Sequence, residues 1–151
     1  MTATLATKEA PESAESGIRA LIENWAAAVR SADVDRIMAF YADDVIAYDA
    51  IAQLQFVGKP AYRDHWAFCM SMCGGMIFDP GDITASADGD VGFAHCLIRC
   101  GGVGPNGQEQ ASWMRMSAGY RRLAGQWKIA HEHFSAPFDM ESGKALFELT
   151  P

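Results

Sequence analysis

The chain is short of positive charge. Its 151 residues carry 12 Lys and Arg against 19 Asp and Glu, a formal net charge of −7. That balance disfavours nucleic acid and anionic membrane surfaces as partners, and neither is expected. The sequence also lacks any uninterrupted apolar run near the ~18 residues that a membrane span needs. Residues 1–15 lack the basic-then-apolar layout of a secretory leader; rich in Ala, Thr, Ser and Glu, they read as a mobile tail. The expected location is therefore the cytoplasm. Cysteine is sparse, with four residues, which suits reduced thiols in that compartment. Cys69 and Cys73 sit four apart in a helical stretch and could touch. Cys96 and Cys100 sit four apart in a strand, roughly 13 Å from each other, and cannot share one ion. Buried thiols are the plainer reading, and no metal or other cofactor is expected.

Half of the residues are hydrophobic, enough to fill the core of a single domain. Ile18, Leu21, Ile22, Trp25, Ala26 and Val29 recur at helical period, so residues 16–30 predict a helix with Ser16 as its cap. Asp33 caps a second helix predicted over 34–41. Strands follow over 45–49 and 54–57. Gly58-Lys59-Pro60 then turns the chain into a third helix that runs to about Met72 and ends at Gly74-Gly75. The remainder predicts strands over 76–86, 91–101, 108–123 and 126–136, with Asp88-Gly89-Asp90 and Ala124-Gly125 as turns. Pro137 stops the last strand. Residues 138–151 predict a short helix or a cover for an edge. Helices first and strands after make an α+β domain over 16–137, with three helices on one strongly curved antiparallel sheet. Such a sheet leaves a cone whose mouth is the natural pocket.

The final strand carries the most unusual pattern. Strict alternation puts Trp127, Ile129, His131, His133 and Ser135 on one side and Lys128, Ala130, Glu132 and Phe134 on the other. An apolar strand start thus delivers two imidazoles and a hydroxyl side by side. His131 and His133 are read as hydrogen-bonding or proton-transfer groups of a pocket, or as satisfied core histidines. A metal site would need a third ligand, and His95 is the one His on a neighbouring strand.

At this point three segments resemble a known family: Phe40-Tyr41-Ala42-Asp43-Asp44, Val57-Gly58-Lys59-Pro60-Ala61-Tyr62, and the Trp127, His131, His133, Ser135 ending. Over residues 17–137 the chain resembles the nuclear transport factor 2-like superfamily, in its SnoaL-like and ketosteroid-isomerase-like branch. The ending is also similar to the association domain of calcium/calmodulin-dependent kinase II, so the resemblance covers enzymes and assembly modules alike. Alignment with the isomerases implies that Asp49 stands at their general base. Their oxyanion-hole Tyr and Asp fall near Trp25 and Ser117, which cannot do the same job, so steroid isomerisation is not implied. The association domain implies arginines that face the pocket. Arg99 matches one of them, while Arg115 lies nearby but out of register. The resemblance further implies a homodimer paired through the sheet.

Each candidate has a structural alternative. Asp49 is a desolvated base beside Tyr48 or a turn residue opening the next loop. Arg99, on a strand face shared with His95, holds a ligand anion or pairs with Asp49 or Glu132. Trp113 and Arg115 share the more polar face of the long strand over 108–123 and are expected to line the pocket. Met114, Met116, Ala118 and Tyr120 oppose them as packed core or dimer interface. Trp66, with Tyr62 and Met70 on its helical face, is core or a ligand platform. The expected function is binding of a small, mostly apolar molecule with a carbonyl or carboxylate. Asp49 would act as base with His131, His133 or Trp25 as hydrogen-bond donors, in an isomerase, cyclase or dehydratase. A non-catalytic ligand-binding or dimeric assembly module is the alternative.

Overall fold

The computed structural model describes residues 13–151. The tail expected over 1–15 thus lies largely outside the described residues, and its last two belong to the first helix. That helix, α1 (Ala14–Arg30), is capped by Ser13 rather than Ser16: the Ser13 hydroxyl accepts from the Ser16 N–H at 3.1 Å. Its buried stripe includes Ile18, Leu21, Ile22, Trp25 and Val29, at the helical spacing expected. Asp33 caps α2 (Val34–Met38), whose cap accepts from the Arg36 N–H.

This second helix ends three residues earlier than its periodicity predicts, because the next residues are claimed by the sheet. The Phe40 carbonyl accepts from the Ile129 N–H at 2.8 Å, and Tyr41 opens β1 (Tyr41–Tyr48). β2 (Phe56–Val57) is a two-residue edge strand. Gly58, at φ 85°, turns the chain into α3 (Lys59–Ser71), with Pro60 in its first turn where no N–H is missed.

The strand expected over 76–86 is two strands, β3 (Met76–Pro80) and β4 (Thr84–Asp88). Both pair with β5 (Val91–Val103). Three residues, 81–83, face only Cys96 and Leu97 between the paired positions Ile98 and His95, so the chain bulges there. A side chain at Gly81 would stand 3.0 Å from the Leu97 carbonyl oxygen. β6 (Glu109–Leu123) and β7 (Gln126–Ser135) complete the sheet. Ala124 and Gly125 join them with φ of 50° and 79°, the signs a tight type I′ hairpin requires.

The sheet order is β2-β1-β7-β6-β5-β3, with β4 also on β5. The pairs are antiparallel except one: β1 runs parallel to β7. The expected antiparallel sheet is therefore corrected to a curved mixed sheet, which is not closed. A parallel neighbour needs a crossover rather than a hairpin, and here the rest of the domain supplies it. The interior is largely filled by Trp25, Tyr41, Tyr62, Tyr120 and the core around them, so the expected cone keeps only a small pocket.

One irregularity sets which residues reach that interior. Tyr120 pairs with Ile129 and Gly119 with His131, so Ala130 is an extra residue without a partner on β6. A bulge of this kind reverses the facing of everything after it. Ile129, Glu132 and Phe134 are buried, whereas His133 is exposed and His131 and Ser135 are half-buried on the outer side. The last segment is not helical. A turn over Asp139–Lys144 is closed by a Phe138–Ala145 bridge, and Pro151 lies by a groove on the outer sheet face. Among the described residues, no helix is long and apolar enough to cross a membrane.

Candidate active site

α3 presents Tyr62, His65, Trp66 and Cys69 at spacings of three and four, so one helical face meets the inner surface of the sheet. Across from it, the bulged β7 delivers Glu132 and the C-terminal end of β1 delivers Asp49. A cavity of about 100 Å³ opens beside Asp49, His65, Trp66 and Cys69. Its walls are Ile51, Trp66, Met76, Phe78, Met114 and Phe134, and its polar groups come from Asp49, His65 and the thiols of Cys69 and Cys100.

Asp49 makes the turn contact expected of it and also lines the cavity. Its Oδ1 accepts from the Ile51 N–H at 3.0 Å, a local turn contact. Its Oδ2 lies 3.2 Å from His65 Nε2 and accepts from the Tyr62 hydroxyl at 3.2 Å. The side chains of His65 and Asp49 are only 4% and 13% exposed, so the pair is shielded from water. Burial lowers the His65 pKa. The hydrogen bond to Asp49 and the contact with Cys69, 3.6 Å from Nε2, more than offset this and bring it up to about 9. The ring is therefore an imidazolium at neutral pH, stacked on Phe56 at 4.2 Å.

Behind this pair lies a second carboxyl group. Glu132 is 1% exposed; Tyr41 donates its hydroxyl to it at 2.9 and 3.0 Å, and the Tyr62 hydroxyl lies within hydrogen-bond reach of its Oε1 as well as of Asp49. Tyr41 in turn accepts from Trp25 Nε1 at 3.1 Å. Burial pushes the Glu132 pKa up to about 8. The two hydroxyls oppose that rise and the nearby Asp49 charge adds to it. Burial and the Glu132 charge also hold both tyrosines well above their ordinary value. A continuous hydrogen-bonded path thus runs Trp25–Tyr41–Glu132–Tyr62–Asp49–His65.

The sequence-predicted residues divide between two faces. Asp49 and Trp66 line the cavity, and Trp25 supports it through Tyr41. The others lie elsewhere. His131 and His133 stand on the outer face with their rings edge-on to Tyr48, at 4.8 and 5.7 Å between centroids. His131 Nδ1 donates to the Ile46 carbonyl at 2.6 Å. Arg99 pairs with Glu109 at 3.2 Å and Asp79 at 3.9 Å, not with Asp49 or Glu132. His95, Trp113 and Arg115 do converge, but on an outer groove of about 620 Å³, and Arg115 Nε donates to the Ser135 hydroxyl at 3.1 Å. The inner face of β6 carries Met114, Met116, Ala118 and Tyr120, the packed-core alternative. Sequence reasoning missed His65, Tyr62, Tyr41 and Glu132 as a polar unit. The helical spacing of Tyr62, His65 and Cys69 is a signal for part of it. Among the described residues, no cluster of three or more His, Cys, Asp or Glu is arranged to hold a metal ion.

A SnoaL-like domain profile matches residues 18–139, and the chain belongs to that family. Its structure is similar to that of an NTF2-like protein of unknown function from Pseudomonas putida. The two are 54% identical with a TM-score of 0.84, over 91% of this chain and 96% of the other. More distant likenesses show the fold alone. A proposed calcium/calmodulin-dependent protein kinase II association domain from Xanthomonas campestris is 16% identical, with a TM-score of 0.74 over 91% of both chains. A proposed dehydratase of the NTF2-like family from Streptomyces avermitilis is also 16% identical, with a TM-score of 0.71 over 79% of this chain and 93% of the other. No curated protein matches the chain in sequence.

Proposed function

We propose that the chain binds a small, mostly apolar molecule bearing a carbonyl or carboxylate and acts on it by acid–base catalysis, as an isomerase, cyclase or dehydratase. The observation that carries this reading is the Asp49–His65 pair, 3.2 Å apart on the wall of a cavity otherwise built of aromatic, aliphatic and sulfur-bearing side chains. A carboxylate base beside an imidazolium acid is an arrangement for moving protons in a low-dielectric site. Asp49 takes a proton from the carbon next to the carbonyl, and the electron pair moves into an enolate. In isomerisation the proton returns at another carbon. In dehydration His65 gives its proton to the departing hydroxyl, which leaves as water. A ligand carboxylate would find its cation in His65, since Arg99 and Arg115 face away.

The cavity, at about 100 Å³, is smaller than the roughly 150 Å³ void that accepts benzene, so it takes only the reacting end of a substrate. Asp49 also borders an outer groove of about 480 Å³ with Tyr48, Gln53, Gln55 and His133. A larger substrate would place its reacting end inside and its remainder in that groove. The test follows deuterium uptake from D2O into small cyclic enones and β-hydroxy ketones. Asp49→Asn should slow the exchange by about 100-fold or more. Equal rates would remove the base mechanism, and a wild-type chain that exchanges nothing would favour a pure binding module.

A second reading, pairing of two copies, has its own observation. Val91, Phe93 and Leu97 are 62%, 50% and 42% exposed along the outer face of β5. A homodimer would cover such a face. Sedimentation as a monomer at micromolar concentration would end that reading. The four cysteines are free thiols, which suits a cytoplasmic location.

A further inference from the structure

The Tyr62 hydroxyl has one proton and two carboxyl groups within reach: Asp49 Oδ2 at 3.2 Å on one side and Glu132 Oε1 on the other. It cannot donate to both at once. Glu132 does not line the cavity, yet it is the most deeply buried ionisable carboxyl group in the described chain. We propose that Glu132 is a positioning residue that sets the base strength of Asp49 through the Tyr62 hydroxyl. This rests on the reading of Asp49 as the base.

The two arrangements differ in who donates. When Glu132 carries its proton, it donates to Tyr62, and Tyr62 donates to Asp49. The Asp49 anion then has three donors: Tyr62, His65 and the Ile51 N–H. When Glu132 is ionised, Tyr62 turns to Glu132. Asp49 loses one donor and gains a negative neighbour across a shared hydroxyl, and both changes make it a stronger base. The groups that face Glu132 are Tyr41 from β1, Asp49 just after that strand, Tyr62 and His65 from α3, and Tyr120 from β6. Of these, Tyr41, Tyr62 and Tyr120 keep their protons through the neutral range, because burial holds each above its ordinary value. His65 stays cationic to about pH 9. Glu132 is thus the group free to change charge between neutral pH and that limit, and its raised pKa places the change at about pH 8.

The experiment is a carbon-13 NMR titration of the side-chain carboxyl groups and the His65 ring in the full chain, with no ligand present. In the wild type, the Glu132 carboxyl should titrate with a midpoint at about 8, and the Asp49 resonance should show an inflection at the same pH. In Tyr62→Phe the Asp49 inflection should fall to less than half its size while Glu132 still titrates. Glu132→Gln, whose amide can donate to Tyr62 as the protonated acid does, should abolish it. A wild-type Glu132 midpoint between 4 and 5 would overturn the proposal, as would an Asp49 inflection unchanged by Tyr62→Phe. The wild-type curve decides the first point even if a variant fails to fold. Because no substrate is used, the outcome is separate from that of the Asp49→Asn exchange test.

Discussion

Glu132 and its two neighbours on β7, His131 and His133, are chemically similar in that each can carry or release a proton, yet the sheet puts them in opposite surroundings. The outer face holds more charge. Arg99, Arg115, Arg121 and the two histidines all lie there, but water shares their contacts. The Arg99–Glu109 pair, for example, has side chains 37% and 61% exposed. Pairs of that kind contribute about 0–1 kcal/mol. The inner face holds few polar groups, and nearly all are tied to one another. In a low-dielectric interior each such contact weighs more, and each broken one costs more. The difference teaches that shielding from water, rather than the number of polar residues, marks where chemistry is supported.

The largest expected effect comes from removing the inner acceptor. Glu132→Ala leaves two buried tyrosine hydroxyls without their partner and should cost about 3 kcal/mol in urea unfolding. His131→Ala and His133→Ala should each stay within about 0.5 to 1 kcal/mol. Equal losses for all three would erase the contrast between the faces.

A pH series sharpens it. Glu132 and His65 both have pKa values raised by the fold, from ordinary values of 4.5 and 6.5 to about 8 and about 9. The folded state therefore holds more protons than the unfolded state inside those windows. The Glu132 contribution is complete below pH 4.5 and lost as pH rises through 8; that of His65 is complete below 6.5 and lost through 9. Stability should fall with rising pH, most steeply between about 6.5 and 8, at about 1 kcal/mol per pH unit or more. Glu132→Gln should remove the slope between pH 4.5 and 6.5 and about half of it between 6.5 and 8. A stability that rises over the same range would contradict both assignments.

The smallest effect belongs to the outer ion pairs. Arg99→Ala should change stability by less than about 1 kcal/mol and leave deuterium exchange into a cyclic enone unchanged. A loss of exchange there would bring the outer face back into the chemistry.

Much of the fold is legible in the sequence, since its signals are local. The α1 stripe of Ile18, Leu21, Ile22, Trp25 and Val29, the Gly58-Lys59-Pro60 turn and the Ala124-Gly125 hairpin each act over a few residues. Two features depend on distant partners and are not legible. Tyr41 belongs to a strand because β7, almost ninety residues later, claims its backbone. The parity of Glu132 depends on Ala130 having no partner opposite Gly119 and Tyr120, and no propensity of Ala130 announces that bulge. Everything inferred from strict alternation along 127–135 therefore inverts after that residue. Asp49 was within reach because alignment to related isomerases spans only the short distance from Asp44. The role of His65 is not legible on its helix, because its partner Asp49 lies on another element.

The most direct measurement compares the two faces in one assay: deuterium uptake from D2O into a small cyclic enone by Asp49→Asn and by a His131→Ala, His133→Ala double variant. The account predicts a loss of about 100-fold or more for the first and a near wild-type rate for the second. A retained rate in Asp49→Asn together with a lost rate in the double variant would contradict it.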